Sequence, residues 1–122
     1  MGNYTKAVDY HEQHLSIART IGDQRGEATA LSNLGETFIT IGNYANAQEM
    51  LPVALMICQS IGDRYTEAHI LKSLADLHPK LGDRALALNY CNQALAIAID
   101  LGIPLAKDCQ KLKQILQNQA GA

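Results

Sequence analysis

Displacing the sequence by forty residues brings it into register with itself. Gly2-Asn3-Tyr4 falls on Gly42-Asn43-Tyr44 and then on Gly82-Asp83-Arg84. Ala7 falls on Ala47 and Ala87, Leu15 on Leu55 and Leu95, and Ile17 on Ile57 and Ile97. Ile21-Gly22-Asp23 falls on Ile61-Gly62-Asp63 and, with its last residue changed, on Leu101-Gly102-Ile103. The other half of the unit repeats too: Glu27-Ala28, Leu31 and Leu34 match Glu67-Ala68, Leu71 and Leu74. A chain built on such a period is a stack of supersecondary units, none of which can bury its apolar face alone.

Glycines punctuate the unit at 22, 42, 62, 82 and 102. A glycine that closes an apolar-periodic run can take the left-handed conformation past a helix end. The Asn or Asp that follows four of them can accept the orphan N–H groups of the next helix. This divides the chain into helices over 4–21, 24–41, 44–61, 64–81, 84–101 and 104–118. The 17 Ala and 16 Leu, against 2 Val, one Phe and no Trp, favour helices over a sandwich or barrel. Leu31, Leu34 and Phe38 share one helix face, as do Ala47, Leu51, Ala54 and Leu55 on the next. Joints of two or three residues make neighbours antiparallel. The expectation is an all-α, antiparallel helix-hairpin solenoid of six helices, forming one domain over residues 1–122. Within it, 4–21 is the second helix of an incomplete repeat, 24–61 and 64–101 are complete repeats, and 104–118 is a capping helix.

Several repeat families stack helix pairs, and the residues choose among them. Leu31, Leu34-Gly35 and Phe38, followed by Gly42, Tyr44, Ala47, Leu51 and Ala54, resemble the tetratricopeptide repeat (TPR) pattern. Leu71, Leu74-Ala75, His78, Gly82, Ala87, Cys91 and Ala94 give it again. The period exceeds the common one of about 34 residues and is similar to the long-repeat TPR subclass. The resemblance implies a right-handed superhelix whose first helices line a concave groove. It also implies a scaffold, as a module of a larger assembly, that binds an extended or helical segment of a protein partner there. The inward positions it implies are Thr29, Ser32, Asn33, Glu36 and Thr40 on one helix, and His69, Lys72, Ser73, Asp76 and Lys80 on the next. Asn33 resembles the family asparagine that hydrogen-bonds a ligand's main chain, since an amide donates and accepts together. Ser32 and Glu36 stand where the carboxylate clamp of chaperone-binding members needs Lys and Asn, so that function is not implied.

The first helix aligns with the second helix of a repeat, and the partner of its 7, 11 and 14 face precedes Gly2. Ala7, His11 and His14 stand there in place of Ala47, Leu51 and Ala54. Either this is a polar cap of the kind a solenoid end needs, or another element covers it. The alternative function is therefore a homo-oligomer, a self-association module using Val8, His11, His14 and Leu15. At the other end, Lys111 and Gln114 replace Leu71 and Leu74, while Leu105, Cys109, Leu112 and Leu116 keep one apolar stripe suited to a terminal helix. Pro104 suits a first helical position. Pro52 and Pro79 fall inside predicted helices, where proline removes a bond to the residue four back. A kink near Gln48 and an early end to helix 64–81 are expected.

Little in the sequence points to chemistry. His11-Glu12-Gln13-His14 has its histidines at i and i+3, whereas the helical zinc motif needs i and i+4. No phosphate-cradling glycine loop, nucleophile elbow or Cys–His pair at catalytic spacing is present, so the expectation is no enzyme, no metal and no cofactor. Asp23, Asp63 and Asp83 are read as helix caps, and His78 as a packed core ring. Ten Lys and Arg against twelve Asp and Glu give a net charge of −2, which excludes a general nucleic-acid binder. No window approaches the roughly 20 apolar residues of a membrane span, and the first residues lack a secretory layout. Cys58, Cys91 and Cys109 form no C-x-x-C pair and read as buried thiols in a reducing compartment, which makes the cytoplasm the expected location.

Overall fold

A computed structural model describes residues 2–120, with side chains from Tyr4 to Asn118. The helices are α1 (Gly2–Ile21), α2 (Gln24–Thr40), α3 (Tyr44–Ile61), α4 (Arg64–Leu77), α5 (Arg84–Leu101) and α6 (Leu105–Ala120). A 3-10 segment, His78–Leu81, follows α4, and the described residues contain no strand. The fold of the described residues is all-α, with neighbouring helices within each half of the chain packed against one another.

The five glycine joints are built alike. Gly22, Gly42, Gly62, Gly82 and Gly102 have φ of 74, 84, 74, 82 and 66°. After each, the next residue's N–H reaches back to the carbonyl five residues earlier: Asp23 to Ala18 at 2.8 Å, Asn43 to Phe38 at 2.8 Å, Asp63 to Cys58 at 3.0 Å, Asp83 to His78 at 2.9 Å and Ile103 to Ala98 at 3.1 Å. This is the closure that satisfies the orphan carbonyls of a helix end. The side chains of Asp23, Asn43 and Asp83 then accept from the N–H groups of Gly26, Asn46 and Leu86, as caps should.

The chain forms two compact units, one ending at Asp63 and one beginning at Arg64. In the first, α2 packs against both α1 and α3. Its core is Leu15, Ala18, Leu31, Leu34, Phe38, Ala47, Leu51, Ala54 and Cys58. The helices α2 and α3 approach closely: a Cβ added to Gly35 would lie 2.5 Å from Cδ2 of Leu51. In the second unit, α5 packs against both α4 and α6. The α6 stripe buries Leu105, Cys109 and Leu116 while Lys111 and Gln114 stay exposed, and the Cys91 thiol donates to the Cys109 carbonyl at 3.1 Å.

The prolines act differently from one another. The helix predicted over 64–81 ends as an α-helix at Leu77, because Pro79 has no N–H for the carbonyl of Ala75, and the chain tightens into the 3-10 segment. By contrast, α3 runs from Tyr44 to Ile61 across an exposed Pro52. The carbonyl deprived of its donor belongs to exposed Gln48, where water can reach it.

Candidate functional site

On α2, partly buried Thr29 and exposed Thr40 face outward, but their hydroxyls donate to their own helix, to the carbonyls of Arg25 and Glu36, both at 3.0 Å. Thr37 does the same to the Asn33 carbonyl at 2.9 Å. Ser32, expected on an open surface, is instead buried beside Leu31 and Leu34. Asn33 is partly buried, and its side-chain amide makes no hydrogen bond with the described residues. Glu36 is exposed.

On α4, the partly buried His69 ring tilts over Tyr65 at a centroid distance of 4.7 Å. Lys72 and Asp76 form an ion pair of 2.9 Å one turn apart. Ser73, like Ser32, is buried. Both serines are flanked in sequence by the leucines that form the core, and a small hydroxyl is readily enclosed there. Lys80 is exposed on the 3-10 segment rather than on α4 itself. His78 is buried and stacks on Tyr90 at 5.4 Å, as its core reading anticipated. Burial lowers its pKa, against an opposing pull from Asp83.

On α1, Leu15 is buried and belongs to the core, while Val8, His11 and His14 are partly buried. Val8 lines an open apolar groove of about 350 Å³ with Tyr4, Phe38 and Ile41. Nδ1 of His11 is shielded without a hydrogen-bond partner among the described residues. Burial lowers the His11 pKa, His14 lowers it further, and Glu36 pulls the other way. Among the described residues no three His, Cys, Asp or Glu come together in a way that could hold a metal ion. No helix among the described residues is long and apolar enough to cross a membrane.

Comparison with known sequences decides the family. The Tetratricopeptide repeat sequence model matches residues 1–60. The chain belongs to the tetratricopeptide repeat family. A stretch of 32 residues, 26% of the chain, is 56% identical to G-protein-signaling modulator 1 of Homo sapiens and covers 5% of that protein. The chain therefore spans a small part of the relative it matches.

As a tetratricopeptide repeat protein the chain is a protein-interaction module, and the residues of its hairpins fall into place. Gly35 and Leu51 meet at a helix crossing, and Ala75 is likewise fully buried. Tyr10 and Ile17, whose apolar area was expected in part to pack on α2, are open to solvent at 68 and 59%, and Ile21 is open at 70%. The spacing of 10, 17 and 21 was open to inspection.

Proposed function

We propose that the chain is an adaptor whose units each offer an outward helix face, α2 in the first and α4 in the second, to an extended or helical segment of a protein partner. Asn33 carries this reading. Around it the threonine hydroxyls are satisfied by their own helix, whereas its amide is partly buried and unpaired. An amide in that state has a donor and an acceptor to offer a passing peptide group, independent of the partner's side chains. On α4, the Lys72–Asp76 pair and the His69 ring supply charge and a flat surface that select among segments. Family membership and the likeness to a signalling modulator support an adaptor within a larger assembly, and three buried free thiols suit a reducing cytoplasm.

The test is affinity capture on the immobilised intact chain, followed by titration of the recovered partner against Asn33→Ala and Lys72→Glu. Each variant should weaken binding about tenfold, a loss of about 1.4 kcal/mol, with an unchanged thermal midpoint. Undiminished affinity in both variants removes α2 and α4 as the binding faces.

A further inference from the structure

Residues of α1, α2 and α3 together line an open cavity of about 530 Å³ in the first unit. Buried Leu15 and Phe38 and partly buried Met50 give it an apolar floor. Around that floor stand the Glu12 carboxylate, the Ser16 hydroxyl and the Asn46 side-chain amide, none of which has a hydrogen-bond or ion-pair partner among the described residues. Glu12 and Ser16 are one turn apart on the same helix face, so their polar groups are neighbours. Two further polar residues on the wall are already engaged. Thr20 donates to the Ser16 carbonyl at 2.8 Å, and Arg19 pairs with Glu27 at 3.1 Å.

The repeat does not require these three residues. At the same places of the unit, Pro52 and Asn92 stand for Glu12, Met56 and Ala96 for Ser16, and Lys6 and Leu86 for Asn46. Charge is biased around them as well. Residues 1–63 carry three Lys and Arg against seven Asp and Glu, a net charge of −4, whereas residues 64–122 carry seven against five, a net charge of +2. Both arginines of the first unit are paired within it, Arg19 with Glu27 and Arg25 with Asp63 at 3.8 Å. Glu12 is therefore the uncompensated charge on the cavity wall, and a cation is what the cavity attracts.

We propose that this cavity seats a lysine side chain presented by a protein partner. An ammonium group has three donors and no acceptor, and the cavity offers it a carboxylate, a hydroxyl oxygen and an amide oxygen. The aliphatic stem lies along Leu15, Phe38 and Met50, in the way lysine stems cover apolar surface while the charged head keeps to a polar edge. The cavity is open and the family is one of protein-interaction modules, so the ammonium comes on a polypeptide rather than as a free amine. Neither Asn33 nor Lys72 lines this seat, and it stands or falls apart from the α2 and α4 faces.

The probe is the peptide Ala-Gly-Lys-Gly-Ala, acetylated and amidated at its ends, titrated into the intact chain with backbone amide chemical shifts as the readout. Saturable shifts are expected at residues 12–20 and 46–50, which supply most of the wall. Glu12 is exposed, so Glu12→Gln should keep the parent melting temperature. It should weaken binding about tenfold, the scale of one hydrogen bond to a charged group. Ser16→Lys sets a tethered ammonium one turn from Glu12 and should displace the peptide with the fold intact. Unmoved amides at those residues, or an affinity that survives either substitution, overturn the proposal. Equal binding of the same peptide with norleucine in place of lysine overturns it too, because only the stem is then read. Tighter binding of n-butylamine than of the peptide does the same, since the occupant is then a small amine.

Discussion

Gly35 shows how opposing residue-level effects are weighed. An alanine there gains about 1 kcal/mol of helix propensity. The added Cβ would, however, lie 2.5 and 2.6 Å from Cδ2 and Cγ of Leu51, a side chain with no exposure and no free space to enter. Overpacking of a tight core costs about 1–3 kcal/mol, so Gly35→Ala should show a net loss of about 1 kcal/mol or more in urea unfolding. A stabilised variant would mean that the two helices separate easily. His78 gives a pH dependence with a definite sign. Its folded pKa is lowered, chiefly by burial. Above the ordinary histidine value of about 6.5 the ring is neutral in both states and nothing is lost. As pH falls through that value the unfolded chain binds a proton that the folded ring resists, so stability declines until the lowered folded pKa is passed. His11 has the same sign. The melting temperature should drop between pH 7.5 and 5.5, and His78→Phe, which installs the residue found at Phe38, should make that drop smaller. Residue identity was a poorer guide to the surface than to the core. Ser32 and Ser73 are enclosed, and Thr29 and Thr40 use their hydroxyls on their own helix, because a side chain's hydrogen-bonding capacity does not say which way it points.

At the scale of the element, the joints were legible because a glycine before a capping Asn or Asp has a local cause and needs no tertiary context. Helix ends at Ile21, Ile61 and Leu101 fall where the glycines predicted. The 3-10 segment after Leu77 was harder to place. Whether a proline kinks a helix or ends it depends on what its displaced carbonyl can find, and that is a property of the fold. Pro52 tests this. It sits exposed in the middle of α3 and removes one helical bond, so Pro52→Ala should raise unfolding free energy by about 1–3 kcal/mol. The upper part of that range applies if the Gln48 carbonyl gains little from water. A neutral or destabilising result, read from chemical denaturation, would show that the packing of α3 on α2 depends on the proline itself.

At the scale of the molecule, each compact unit carries its own buried thiol reporter. Cys58 belongs to the first unit, and Cys91 and Cys109 belong to the second. Burial pushes the Cys109 thiol up to about 11 and raises Cys91 as well. Little thiolate of these two is present near neutrality, and Cys58 is enclosed by burial, so alkylation awaits unfolding. Iodoacetamide at pH 8 should leave all three unmodified in the native protein, and Gly35→Ala should bring Cys58 into reaction at lower urea while Cys91 and Cys109 keep their parent midpoint. The five glycine corners bear on how such a molecule changes length. Each is closed by the same backward hydrogen bond, whichever rods it connects. A duplicated or excised block of forty residues leaves every surviving corner with its original chemistry, so genes for chains like this one can grow or shrink by recombination without inventing a new junction.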